Sequence, residues 1–111
     1  MLNELSEHLQ RGKFPALYPG EYSHVTAITY NMLRWALRDE ADTLTLNERY
    51  FVWSRDHREL GTLRVDSPKP AITYQSQLRS ILTRDAVVQK YTRVVKNTDD
   101  EIVIQFANMR G

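Results

Sequence analysis

The chain has 111 residues, of which 41% are hydrophobic and 26% are charged, and its formal net charge is +1. This length provides for one hydrophobic core, so we expect a single domain over residues 1–111, and the composition excludes a disordered chain of the highly charged type. Cysteine is absent, which excludes disulfides, thiolate metal sites and cysteine nucleophiles. No apolar run reaches the roughly 18 residues of a membrane helix, so we expect a cytoplasmic chain without a membrane partner.

The first predicted element is a short amphipathic helix over residues 1–11. Leu2, Leu5 and Leu9 recur at helical spacing and would share one face, while charged and amide side chains occupy the other positions. Gly12 follows directly, and glycine commonly ends a helix. We therefore expect a helix that contributes three leucines to the core and stops at residue 12.

A longer helix is predicted over residues 23–39, after a loop at residues 13–20 in which two prolines oppose helix formation. Its apolar positions recur every three to four residues and cover a broad face. We expect this helix to lie at the centre of the core. The residues of this apolar face are Val25, Ile28, Met32, Leu33, Trp35, Ala36 and Leu37.

The next segment predicts a strand, a polar loop and a second strand. Residues 50–53 form a dense aromatic and β-branched run, which favours a strand buried on both faces. Residues 61–66 alternate, with Leu63 and Val65 facing inward. The polar residues 54–59 would connect the two strands. The alternative is a helix over residues 47–60, capped by its first residue and ended by the glycine that follows.

Two helices are predicted over residues 73–91, after a proline-rich break at residues 67–70. Thr83 is expected to cap the second of them, with Asp85 in its first turn, where negative charge is favourable. The apolar positions keep helical spacing. They are Tyr74, Leu78, Ile81 and Leu82 in the first helix, and Ala86, Val87 and Tyr91 in the second.

The chain closes with a predicted hairpin. Residues 92–96 and 101–106 are strand-like and flank the turn-forming residues 97–100. The resulting fold class is α+β: one small domain with helices packed on short antiparallel hairpins. A helix pair followed directly by a hairpin also resembles the layout of a winged helix–turn–helix half, and this resemblance is architectural only.

No catalytic motif can be written for this sequence. Its four glycines are too far apart for a nucleotide-binding loop, and its three histidines lack the spacing of metal ligands. We therefore expect a binding protein without a metal or cofactor rather than an enzyme. One enzymatic alternative remains, a small ribonuclease centred on His57, because residues 55–59 combine an acid, a base and two arginines.

Charge is distributed unevenly along the chain. Residues 49–98 hold ten Lys and Arg side chains against four Asp and Glu, whereas acids are in excess in residues 1–48 and 99–111. Arginine outnumbers lysine eleven to four, and arginine is the side chain that pairs in bidentate fashion with phosphates and carboxylates. This distribution favours a binding function that depends on charge.

The first functional hypothesis is a small regulatory module that binds DNA or RNA. In a winged arrangement, the second helix and the hairpin would present cations and amides that neutralise phosphates and contact bases. Three consecutive acids at residues 99–101 argue against a hairpin that approaches the nucleic-acid backbone. The proposed contacts are Arg79, Arg84, Gln89, Lys90, Arg93 and Lys96.

The second hypothesis is a protein–protein adaptor, an inhibitor or a subunit of a larger complex. Aromatic residues interleaved with arginine in residues 49–58 have the composition of interface hot spots. Segregated charge also suits docking on another protein, or self-association of acidic on basic faces into a homo-oligomer. The candidate contacts are Tyr50, Phe51, Trp53, Arg55 and Arg58.

Overall fold

The computed structural model describes residues 4–11, 24–65 and 70–107, and within these ranges the chain forms four helices and five strands. The α+β class predicted from the sequence is therefore confirmed. The helices are α1 (Glu4–Arg11), α2 (His24–Arg38), α3 (Pro70–Arg84) and α4 (Ala86–Lys90). The strands are β1 (Thr43–Asn47), β2 (Tyr50–Arg55), β3 (Arg58–Arg64), β4 (Thr92–Asn97) and β5 (Glu101–Phe106).

The five strands form one antiparallel sheet in the order β3-β2-β1-β5-β4. The central strand β1 joins the two hairpins, because Leu44 pairs with Trp53 of β2 on one side and with Ile104 of β5 on the other. Strand β1 was not predicted from the sequence. As a result of its presence, the two expected hairpins are halves of a single sheet.

One face of this sheet is covered by helices. Leu44 and Leu46 of β1 are fully buried, as are Phe51, Ile102 and Ile104 of the neighbouring strands, while the residues between them keep partial exposure. Helices α2, α3 and α4 contact the sheet, and α1 packs on α2 and α4. The core thus lies between a helical layer and the inner face of the sheet.

The strand–loop–strand prediction is correct in type, and the alternative helix over residues 47–60 is wrong. The polar loop is much shorter than expected, because β2 and β3 extend to a two-residue turn at Asp56 and His57. Both turn residues have left-handed backbone angles, with φ of 50° and 65°, as the tightest hairpins require. Residues 50–53 are buried on one face rather than on both, since the outer face of the sheet is not covered by a described helix.

The junction between α3 and α4 corrects a second prediction. Asp85, rather than Thr83, caps α4, since its carboxylate accepts hydrogen bonds from the backbone amides of Val87 and Val88. The hydroxyl of Thr83 instead donates to the carbonyl of Arg79 in the preceding turn. With the cap two residues later, the inward positions shift as well: Val88 is fully buried, whereas Ala86, predicted to face the core, is exposed.

The winged-helix layout is not confirmed. The hairpin of β4 and β5 does not stand apart as a wing, because β5 pairs along its length with β1. Helix α4, which would enter a groove, has five residues and contacts α1. The predicted helix end at Gly12, the loop at residues 13–20 and the break at residues 67–70 lie outside the described residues, apart from Pro70 at the start of α3.

Candidate interaction surface

The cations proposed for nucleic-acid binding lie in separate places. Arg93 and Lys96 of β4 are opposite Gln105 and Val103 of β5, on the outer face of the sheet. The guanidinium of Arg93 donates to the side-chain oxygen of Gln105. The ammonium of Lys96 lies 2.9 Å from a carboxylate oxygen of Glu101. Both cations are exposed and belong to the same surface.

The remaining candidates belong to the helical layer. The ammonium of Lys90 lies 3.1 Å from the carboxylate of Glu4 on α1, and this contact raises the pKa of Lys90 and lowers that of Glu4. The side-chain amide of Gln89 donates to the carbonyl of Thr83 at 2.6 Å. Arg84 is exposed at the end of α3. These three side chains belong to α3 and α4 in the helical layer, whereas Arg93 and Lys96 lie on the outer face of β4.

Arg79 connects the helical layer to the hairpin of β4 and β5. Its side chain extends from α3 to the end of this hairpin. There its Nε donates to the side-chain oxygen of Asn97 at 2.9 Å, and a terminal nitrogen donates to the carbonyl of Thr98. The six predicted contacts therefore belong to three parts of the fold: the helical layer, the end of the hairpin and the outer face of the sheet.

The aromatic and arginine segment is divided by the alternation of β2. Phe51 is completely buried and Trp53 is 8% exposed, so both belong to the core and cannot meet a partner directly. Tyr50 points to the outer face and is 39% exposed. Arg55 pairs with Glu40 at 3.2 Å. Of the predicted contacts, Tyr50, Arg55 and Arg58 lie on the surface.

The outer side of the sheet brings together residues that neither hypothesis had grouped. Strand register places them in three rows across the sheet, and we call this set the open face. No described helix lies on it. The first row contains Glu59, Ser54, Thr43, Gln105 and Arg93, the second contains Thr62, Val52, Thr45, Val103 and Lys96, and the third contains Arg64, Tyr50, Asn47 and Glu101.

The open face is β-branched in its middle and charged at its margins. Val52, Thr45 and Val103 are adjacent on the three central strands and are partly exposed. The charged residues belong to the outer strands and to the end of β5, and they carry both signs. A signal for this surface is present in the sequence, because Thr and Val occupy alternate positions between the buried residues of three strands.

Both edges of the sheet are irregular. In β3, Leu60 is the extra residue of a bulge opposite the step from Trp53 to Ser54, and it is 41% exposed. In β4, Val95 is the extra residue of a second bulge and is 52% exposed. Bulges at edge strands hinder the addition of a further strand. The open face is therefore better suited to contact a partner than the edges are.

The ribonuclease alternative concerns the turn between β2 and β3. His57 and Asp56 border a depression of about 500 Å³ at one end of the sheet, together with Asp42. The backbone amide of Asp56 donates to the carboxylate of Asp42 and lowers the pKa of Asp42. Within the described ranges, no group of three or more His, Asp or Glu side chains could hold a metal ion.

A second concavity of about 550 Å³ lies between α1 and α2. Its walls include Gln10 of α1 and, on α2, Trp35 between the exposed Arg34 and Arg38. The cavity beside these two arginines was not predicted from the sequence. The lining also includes Glu40, and Arg38 lies 3.4 Å from the carboxylate of Asp39, so this part of the helical layer carries both signs of charge.

Comparisons of the chain with protein-family models, with curated proteins and with solved structures found no match. Among the helices of the described ranges, none combines the length and apolar character that crossing a membrane would require. The function is therefore inferred from the geometry of the surface.

Proposed function

We propose that this chain is a protein-binding module whose contact surface is the open face. The observation that carries the proposal is the combination of a β-branched centre with charges of both signs at the margin. A five-stranded sheet with strands about 4.8 Å apart and about six residues long offers a nearly continuous area of roughly 24 by 20 Å. This projected area of roughly 480 Å² is about three fifths of the ~800 Å² that one partner contributes to an interface of standard size, and it is in the range of small or transient interfaces.

The charge balance favours a protein over a nucleic acid as the partner. The open face carries three cations, Arg64, Arg93 and Lys96, and two acids, Glu59 and Glu101. Its net charge is therefore only slightly positive. Surfaces that bind nucleic acids carry a clear excess of cations, and those that bind single strands also carry aromatic platforms. The one aromatic side chain in the three rows defined above, Tyr50, lies in the outermost row.

Site-specific photo-crosslinking tests this proposal. Benzoylphenylalanine is placed at Thr45, in the centre of the open face, or at Ser76, an exposed position on α3, and the chain is expressed in its source cell. A protein that crosslinks at position 45 and not at position 76 is purified. Its affinity is then measured for the unmodified chain and for Thr45→Arg, where we expect a loss of at least tenfold because a buried, unpaired charge is introduced.

The matched control is Ser76→Arg, which adds the same charge to the helical layer and should leave the affinity within twofold. Circular dichroism establishes that both variants fold. The proposal is wrong if no protein crosslinks at position 45, or if the affinity of the crosslinked protein is the same for Thr45→Arg and the unmodified chain.

Nucleic-acid binding is a second candidate, and one observation favours it. Arg93 and Lys96 are exposed side by side on β4, and Arg79 reaches the end of the same hairpin. Their partners are neutral or acidic groups that are at least partly exposed, and phosphates can compete for such cations because surface ion pairs contribute little. The acids Asp99 and Asp100 at the hairpin tip oppose an approach by phosphates.

This candidate predicts salt-dependent binding of generic duplex or single-stranded probes, measured by fluorescence anisotropy across a salt series. The double variant Arg93→Glu, Lys96→Glu should abolish the binding. The control is Arg34→Glu, Arg38→Glu, which removes the same number of cations from α2. Equal effects of the two double variants, or no binding at low salt, would exclude nucleic acid as a specific ligand of β4.

A further inference from the structure

We infer that the partner of the open face is a second copy of this chain, so that two sheets stack face to face in a symmetric dimer. This inference rests on the proposed function, because it names the protein that the open face binds. It follows from the order of the residues in the first two rows, which is self-complementary.

The second row supplies the centre of the contact. Across the sheet it reads Thr62, Val52, Thr45, Val103 and Lys96. A twofold axis parallel to β1, lying between the two sheets, exchanges the left and right sides of each row. Thr45 then meets Thr45 of the second copy, and Val52 meets the second copy's Val103. The middle of the interface is therefore built from β-branched side chains, as in the core of a sandwich of two sheets.

The first row supplies complementary charges. It begins with Glu59 on β3, continues with Ser54, Thr43 and Gln105, and ends with Arg93 on β4. The same axis places Glu59 of each copy opposite Arg93 of the other, which makes two equivalent ion pairs at opposite margins. Because both outer side chains are long and exposed, they can meet even when the sheets cross at about 30°.

The other face-to-face orientation is less favourable. A twofold axis perpendicular to the strands would exchange the first and third rows and leave each strand opposite itself. Lys96 would then face the second copy's Lys96 in the middle row. With the axis parallel to β1, Lys96 instead faces Thr62 of the second copy, and no two like charges are opposed in the first two rows. Glu59 can pair with an arginine of the second copy in either orientation, Arg93 in the first and Arg64 in the second, so the repulsion between the two Lys96 side chains is what disfavours the second orientation.

The edges of the sheet support the same arrangement. A dimer that joined two sheets edge to edge would need a straight edge strand, and both β3 and β4 carry a bulge. The bulges leave Leu60 and Val95 exposed on the two edge strands. Stacking of two open faces requires no new backbone hydrogen bonds, so the irregular edges do not oppose it.

Charge reversal and mixing test the inference with the full chain. Sedimentation velocity or light scattering should give a mass that rises with concentration toward twice the 13.0 kDa of one chain. Glu59→Arg alone and Arg93→Glu alone should each weaken self-association at least tenfold. In a dimer of either variant, residues 59 and 93 carry the same charge and face each other at both margins. An equimolar mixture of the two single variants should recover a dimer. In the mixed dimer the two introduced charges meet at one margin and the native Glu59 and Arg93 meet at the other, so both margins pair opposite charges.

The control variant is Arg34→Glu, which makes the same change as Arg93→Glu on the helical layer and should leave the dimer unchanged. A mass of one chain at every soluble concentration would overturn the inference, and so would a mixture that stays as monomeric as its components. These outcomes are distinct from failure of the proposed function. If the chain is monomeric while a different protein crosslinks at position 45, the surface is correct and its partner is another protein.

Discussion

At the scale of single residues, Asp85 connects three parts of the helical layer. Its side chain is 2% exposed, and its carboxylate accepts hydrogen bonds from the hydroxyl of Tyr30 at 2.6 Å and from Nε2 of His8 at 2.8 Å. It also accepts from the amides of Val87 and Val88. One carboxylate therefore satisfies donors on α1, α2 and α4, and it holds the short α4 in place beneath the sheet.

Replacing Asp85 should destabilise the fold strongly. Asp85→Ala leaves a buried hydroxyl, an imidazole and two amides without their acceptor, which should reduce the free energy of unfolding by about 3–5 kcal/mol. Urea denaturation followed by circular dichroism measures this. Tyr30→Phe removes one of the same hydrogen bonds and should cost about 1–2 kcal/mol, so the effect can be measured even if Asp85→Ala does not fold.

The comparison for this prediction is Asp99→Ala, which removes an exposed carboxylate at the hairpin tip and should change the stability by less than about 0.5 kcal/mol. A similar small effect for Asp85→Ala would show that the network does not hold the helices together.

At the scale of elements, the hairpin of β2 and β3 depends on an unusual turn. Asp56 and His57 both have positive φ, which costs an L residue with a side chain about 1–2 kcal/mol and costs glycine almost nothing. The position of His57 is where Asp-Gly turns carry their glycine. The sequence therefore places an unfavourable residue at the tip of a hairpin that forms one edge of the open face.

His57→Gly should stabilise the protein by about 0.5–1 kcal/mol, because the left-handed conformation is no longer strained. His57→Val should destabilise it by at least about 1 kcal/mol, because a β-branched residue tolerates this conformation poorly. Urea denaturation of the two variants measures both effects. If the two substitutions shift the midpoint in the same direction, backbone strain at His57 is not what limits the stability of the hairpin.

The same turn explains why the hairpin was predicted only in outline. Arg55, Arg58 and Glu59 are polar because they lie at exposed strand ends, and a sequence pattern cannot separate such ends from a loop. Strand β1 was missed for a related reason. It has five residues, its two leucines give a short alternation, and its pairing with Ile102 and Ile104 is a long-range contact.

The candidate site shows the same limit. The alternation of Ile102 and Ile104 with less hydrophobic neighbours is visible in the sequence, and it coincides with the buried face of β5. The open face, by contrast, combines residues of five strands that are up to 62 positions apart, from Thr43 to Gln105 in one pair. The charge excess of residues 49–98 was visible in the sequence, but its cations belong to different elements of the fold, for example Lys90 to α4 and Arg93 to the outer face of β4. The order of the strands in the sheet, rather than the composition of the sequence, determines which residues lie together on the open face.

At the scale of the whole molecule, the helical layer and the sheet share one core among the described residues. Leu5 and Leu9 of α1, Leu78 and Ile81 of α3, and Phe51 of β2 all belong to the same buried cluster. The rings of Trp35 on α2 and Trp53 on β2 lie 6.5 Å apart, centre to centre. Neither layer can separate from the other without exposing this cluster to water. A single domain of this kind has a consequence for how the chain unfolds.

The consequence is that the chain should unfold in one cooperative transition. Trp35 and Trp53 are its two tryptophans, so their fluorescence reports on the contact between helices and sheet, while far-ultraviolet circular dichroism reports on the helices and strands themselves. The two signals should give the same urea midpoint at one low protein concentration. Leu78→Ala, which leaves a cavity under α3, should lower both midpoints equally and reduce the stability by about 2–4 kcal/mol. A fluorescence transition that precedes the loss of secondary structure, or a Leu78→Ala effect seen in one signal alone, would mean that the two layers unfold separately and that the chain is not a single domain.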